Sequence, residues 1–156
     1  MLKFASSISS RPSAQYLARS RVPSKLASQG LRSSIALYST NNGTPVTEIR
    51  DLESFAAFTD SQKPSIVDFY ATWCGPCKAI APVFDKLAGA VPEAQFARVD
   101  VDEAPDVAGQ NGVTAMPTIL FFKDGKETGK IVGADLQKLI QLIQTNTGVD
   151  VKTRKL

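Results

Sequence analysis

Apolar and polar positions along the chain fall into segments whose period switches between about two and about 3.6 residues, the pattern of strands separated by helices. Val46-Thr47-Glu48-Ile49 predicts a short first strand. Asp51 is placed to cap a helix with Leu52, Phe55, Ala56 and Thr59 along one side. Pro64 closes the next loop, and Ser65-Ile66-Val67-Asp68-Phe69-Tyr70 is nearly all apolar, as a parallel strand covered on both faces should be. Ile80, Val83, Phe84 and Leu87 then recur at helical spacing, with Pro82 expected to kink that helix. Ala97, Val99 and Val101 alternate with Arg98, Asp100 and Asp102 and predict a third strand. A short helix follows over 103–111 with Pro105 in its first turn, and then a fourth strand, Thr118–Phe122. Asp124-Gly125 is a strong two-residue hairpin signal leading into a fifth strand around Thr128–Val132. Leu136, Leu139, Ile140 and Ile143 build a last helix, with Asp135 as its cap and Gly148 beyond its end. The six residues Val151–Leu156 read as a frayed tail.

The order βαβαβαββα implies an α/β domain: three strands joined by helical crossovers and therefore parallel, then an antiparallel hairpin. The sequence carries no internal repeat and no glycine fingerprint for a phosphate. No apolar run approaches the roughly 18 residues of a membrane span.

Charge divides the chain. Its net +3 comes from 18 basic and 15 acidic residues, but Lys3, Arg11, Arg19, Arg21, Lys25 and Arg32 precede the first acid, Glu48. Without those six, residues 41–156 carry 12 basic against 15 acidic residues, a net of −3, so the basic balance says nothing about nucleic acid. Residues 1–40 are Ser- and Arg-rich, with Leu2, Phe4, Ile8, Tyr16, Leu17 and Leu26 scattered among them. That is the composition of an organellar transit peptide, and the continuous apolar core of a secretory signal is missing. Arginines spread throughout, with Phe4 and Ile8 at amphipathic spacing, favour a mitochondrion; a merely solvated N-terminal arm is the alternative. The expected division is 1–42 as transit peptide and linker and 43–156 as the domain. Processing is expected between Ser33 and Asn42, and the polar run Ser39–Gly43 marks the boundary.

Both cysteines of the chain lie in Ala71-Thr72-Trp73-Cys74-Gly75-Pro76-Cys77-Lys78, where the apolar strand gives way to the helical pattern. If Cys74 opens the helix, Cys77 follows about one turn later on the same face, a spacing that permits a disulfide. Pro76 suits the first helical turn. Unpaired N–H groups and the positive dipole end there favour a thiolate at the more exposed sulfur. Two other uses of the pair stay open. Half of a zinc site would need ligands from a second chain, because this one has no histidine and no third cysteine. A structural disulfide across two residues would close too small a loop to stabilise much. A thiolate beside a second thiol is the equipment for disulfide exchange, the use these residues favour.

The run Trp73-Cys74-Gly75-Pro76-Cys77-Lys78 is identical to the active-site motif of thioredoxins, and over roughly residues 45–147 the chain resembles that family. The supporting marks are Asp68-Phe69, Pro82, Met116-Pro117-Thr118, Asp124-Gly125 and Val132-Gly133-Ala134. With its leader, the chain looks like a mitochondrial member. The resemblance implies the thioredoxin fold, a three-layer α/β/α arrangement around a central five-stranded mixed sheet. It implies a thiol-disulfide oxidoreductase with Cys74 as nucleophile and Cys77, more buried, as the resolving thiol. Asp68 would take the proton of Cys77 through water; a lone carboxylate inside Ile66–Tyr70 should be desolvated, and the alternative is that it points out near a strand end and is solvated. Trp73, Gly75, Pro76, Met116, Gly133 and Ala134 would form a docking surface, with Pro117 as a cis-proline against the disulfide. No bound cofactor or metal is implied. Electrons would come from NADPH through thioredoxin reductase, and clients would include peroxiredoxins and methionine sulfoxide reductases. The implied setting is a monomer in the mitochondrial matrix, engaging neither nucleic acid nor membrane. Two positions depart from the family: Tyr70 stands where many members have a second tryptophan, and Arg98 where a lysine commonly lies near the buried aspartate. A non-catalytic binding module using the same surface is the other class of function, and the intact cysteine pair argues against it.

Overall fold

The structure, a computed structural model, describes residues 45–154. The transit peptide and its cleavage interval lie outside the described residues. The elements are β1 (Val46–Glu48), α1 (Leu52–Thr59), β2 (Ser65–Tyr70), α2 (Gly75–Ala90), β3 (Gln95–Asp100), α3 (Pro105–Gln110), β4 (Thr118–Lys123), β5 (Lys126–Val132) and α4 (Leu136–Thr147). They form one five-stranded sheet in the order β1-β3-β2-β4-β5. β1, β3 and β2 run parallel, whereas β4 is antiparallel to both β2 and β5. This is the mixed sheet expected from the element order.

Local chemistry explains the boundaries. The Asp51 carboxylate accepts from the N–H of Ser54 at 2.7 Å and opens α1; Asp135 does the same for α4 through Lys138 at 3.0 Å. Gly148 ends α4 at φ +75°, a left-handed cap that glycine adopts without steric cost. Asp124 and Gly125 both have positive φ, as a two-residue hairpin turn requires. α2 continues through Pro82 as a single element.

Each sheet face buries its own core. On one, Ile66, Phe96, Ile119 and Ile131 meet Ile80, Phe84 and Leu87 of α2 and Leu139 and Ile143 of α4. On the other, Val67, Phe69, Val99, Leu120 and Phe122 meet Phe55 and Phe58 of α1 and Val107 of α3. Edge-to-face ring pairs occur on both faces, Phe84 with Phe96 at 5.3 Å and Phe55 with Phe122 at 5.5 Å. Each such ring contributes roughly 1.5–3 kcal/mol through burial.

Two expectations fail. The third strand begins and ends earlier than its alternation suggests, and Phe96 and Ala97 are buried on opposite faces because successive side chains alternate and helices cover both faces of the sheet. The C-terminal residues are not frayed. Val151–Thr153 form a short 3-10 turn capped by Asp150, and Val151 is 0% exposed against the α2/α4 core. Arg154 fastens this segment by donating to the Ala90 carbonyl at 2.8 Å and pairing with Glu93 at 2.6 Å.

Candidate active site

Cys74 is the N-cap of α2, with extended backbone angles, and its Sγ accepts the N–H of Cys77 at 3.1 Å. Gly75 and Pro76 occupy the first helical turn, so the sequence Cys-Gly-Pro-Cys supplies its own helix start. The two sulfurs are joined in a disulfide with the Cα atoms 5.3 Å apart. Cys74 is 5% and Cys77 3% exposed, so in the oxidised state burial does not separate them as expected. Their helical positions do. Cys74 sits where a backbone donor and the helix dipole favour negative charge on sulfur, and Cys77 lies inside the turn.

The second asymmetry is a cavity of 280 Å³ that Cys77 lines and Cys74 does not. Asp68, Tyr70, Lys78, Arg98 and Glu48 share its wall. Asp68, on the central strand β2, is 1% exposed, and its Oδ1 accepts no hydrogen bond. Burial pushes its carboxyl up from the usual 3.8 to about 7, against the downward pull of Arg98. The solvated alternative for Asp68 is thereby excluded. The arginine fails to cancel the effect for a visible reason. Its guanidinium pairs with Asp85 at 3.0 Å and donates to the Ala81 carbonyl at 2.9 Å, while it stands 3.7 Å from Asp68. Its Cζ also lies 5.4 Å from the centre of the Phe84 ring. Burial likewise raises the phenol of Tyr70 to about 12, so it stays protonated.

Around the disulfide, Met116 packs against the cluster of Ala71, Cys74 and Cys77. The Met116–Pro117 peptide is cis, and the Pro117 carbonyl accepts the N–H of Gly133 at 2.7 Å, tying the two loops together. Gly133 has φ +92°, which accounts for glycine there. Gly75, Pro76 and Ala134 are exposed, and nothing stands within 4 Å of where a Cβ on Gly75 would lie. Trp73 is 65% exposed, yet its indole N–H donates to Asp102 at 2.9 Å, which fixes the ring. All the residues named from the sequence thus fall at one end of the sheet. Sequence reasoning missed Asp85, Asp102 and the part Glu48 has in the cavity. Only Asp85 left a signal: Cys77, Ala81 and Asp85 recur every four residues, which places them on one side of α2. Among the described residues no cluster of three or more His, Cys, Asp or Glu could hold a metal ion.

Comparison with known proteins agrees with this geometry. The Thioredoxin family model matches residues 46–145. Thioredoxin-1 of Saccharomyces cerevisiae is 48% identical over 101 residues, covering 65% of this chain and 98% of that protein. The same yeast's Thioredoxin-3, mitochondrial, is 46% identical over 92 residues, covering 59% of this chain and 72% of its own. The crystal structure of mitochondrial thioredoxin 3 from that yeast in its oxidized form aligns with a TM-score of 0.62 at 43% identity, over 64% of this chain and 94% of that one. A structure describing the thiol resolving mechanism in yeast mitochondrial 1-Cys peroxiredoxin via glutathione/thioredoxin systems aligns with a TM-score of 0.62 at 42% identity, over 64% and 94% of the two chains. A disulfide built into a helix start, on a fold and sequence shared with these proteins, is the equipment of a thiol-disulfide oxidoreductase that reduces protein disulfides, and the chain belongs to the thioredoxin family.

Proposed function

We propose that the chain works in the mitochondrial matrix as a general protein-disulfide reductase, maintaining thiol redox balance and supplying electrons for antioxidant defence. In its reduced form the Cys74 thiolate attacks a client disulfide; a Cys74–client bond forms and one client sulfur leaves, taking a proton. Cys77 then gives its proton to Asp68 through water in the shared cavity, and its thiolate attacks the Cys74 sulfur. The Cys74–Cys77 bond forms, the second client sulfur leaves, and two electrons have passed to the client. NADPH, acting through thioredoxin reductase, returns the pair to dithiol, and no cofactor binds this chain. Trp73, Gly75, Pro76, Met116, Pro117, Gly133 and Ala134 form the surface against which an extended client lies. Peroxiredoxins and methionine sulfoxide reductases are the client classes, and the chain acts as a monomer, away from nucleic acid and membrane.

One observation carries the division of roles: a buried carboxylate shares a cavity with Cys77 and not with Cys74. An acceptor with a pKa of about 7 is matched to taking a thiol proton at neutral pH. Stopped-flow kinetics of Asp68→Asn tests it. Resolution of the mixed disulfide should slow by about 10²-fold or more at pH 7, the scale of a lost general base, while its formation stays close to the parent rate. Unchanged resolution removes Asp68 from the mechanism. The location rests on the basic, acid-free leader and on the mitochondrial relative. N-terminal sequencing of the endogenous protein tests it, and a mature chain beginning at Met1 or Leu2 would sink the mitochondrial assignment.

A further inference from the structure

Glu48, Arg98 and Asp68 occupy one transverse row of the sheet. Glu48 on β1 stands opposite Arg98 on β3, and Arg98 stands opposite Asp68 on β2. Opposed residues of neighbouring strands project to the same face, and all three line the cavity that reaches Cys77. β1 is an edge strand, so Glu48 is half-buried where Asp68 is sealed. Arg98 therefore stands in the row between two acidic residues, while a third carboxylate, that of Asp85 on α2, already holds its guanidinium at 3.0 Å.

We propose that Glu48 is a positioning residue for the proton transfer from Cys77: its carboxylate shares Arg98 with Asp68, and so keeps Asp68 a proton acceptor rather than a permanently ionised partner of the arginine. This rests on Asp68 being the acceptor. Other charged and titratable groups face the site besides Glu48. Asp85 and Lys78 come from α2, Tyr70 from β2 and Asp100 from the end of β3. Glu103 beyond β3 is occupied by Arg50 at 3.6 Å. Of the acids, Glu48 alone is directly opposed to Arg98 on the far side from Asp68. The electrostatics run the same way. Glu48 adds to the upward push on Asp68, which is led by burial, and Arg98 opposes it. Burial also lifts the carboxyl of Glu48, against the pull of Arg98.

The test is Glu48→Gln, which keeps the shape of a half-exposed side chain and leaves the backbone ladder intact. The carboxyl carbon of Asp68 is titrated by 13C NMR in the disulfide form, where no thiol interferes. Two strand spacings put the charges roughly 9–10 Å apart, so losing one should lower the Asp68 midpoint by about half a pH unit at 0.1 M ionic strength. The acid limb of the resolution rate should move with it, Glu48→Asp should restore the parent value, and Arg98→Gln should move the midpoint upward. An Asp68 midpoint that stays put in Glu48→Gln overturns the proposal, as does a downward move in Arg98→Gln. Asp68→Asn separates the two readings. If it abolishes the pH dependence of resolution while Glu48→Gln moves nothing, only Glu48 loses its role; if its profile matches the parent's, the acceptor and Glu48 fall together.

Discussion

Replacing Asp68 by asparagine should stabilise the oxidised protein at alkaline pH relative to the parent, and do so in a defined pH window. The carboxyl has a pKa of 3.8 when exposed and about 7 when folded. Because the folded value is the higher, the folded state binds the extra proton between the two. The associated stability is fully present below pH 3.8, falls as pH rises, and is gone above about 7. At 1.36 kcal/mol per pH unit the difference is on the order of 4 kcal/mol, an upper figure for a buried group. The variant does not orphan the arginine, which keeps Asp85 at 3.0 Å and the Ala81 carbonyl at 2.9 Å. A buried amide with unmet hydrogen bonds costs about 1–3 kcal/mol, but at every pH alike. Denaturant unfolding of both proteins from pH 4 to pH 9 isolates the pH-dependent part. The variant should start at or below the parent near pH 4, gain on it steadily, and level off above pH 7. A difference that stays flat across that range would mean that Asp68 ionises like an exposed carboxylate, and the account of the cavity would fail.

Val151→Ala should cost about 1.5–3 kcal/mol in thermal or denaturant unfolding, the scale for a fully buried valine, and leave the exchange rates unchanged because the turn packs on the α2/α4 core away from the disulfide. Gly133→Ala should destabilise by about 1 kcal/mol or more, since its φ of +92° suits no L side chain, and it should raise KM for protein clients more than it lowers kcat. Either variant behaving like the parent in unfolding would contradict the placement of that residue.

The sheet was legible because its signals are local. The Ser65–Tyr70 run, the Asp124-Gly125 turn and the capping aspartates each act within a few residues. The tail was not, since Val149 and Val151 are too few to show a period, and Val151 is buried against α2 and α4 while Arg154 bonds Ala90 and Glu93, some sixty positions away. The early start of β3 escaped for a related reason: alternation reports a half-buried strand, and β3 is covered on both faces. At the site, the cysteines and the isolated Asp68 stood out by type and spacing. The pinning of Arg98 did not, because it comes from Asp85 and Ala81 on a helix that only the folded chain brings over β3. Nor did the near-equal burial of the two cysteines, at 5% and 3% exposure in the disulfide form.

The central claim is that the two sulfurs do different work, Cys74 attacking from the helix end and Cys77 resolving beside Asp68. Trapping measures it directly. Cys77→Ser and Cys74→Ser, reduced and mixed with a disulfide-bearing client, are resolved on a non-reducing gel and the covalent adducts quantified. Cys77→Ser should accumulate a stable Cys74–client disulfide, and Cys74→Ser should form almost none. Equal trapping by the two variants would contradict the assignment of roles, and trapping by neither would contradict covalent exchange at this site.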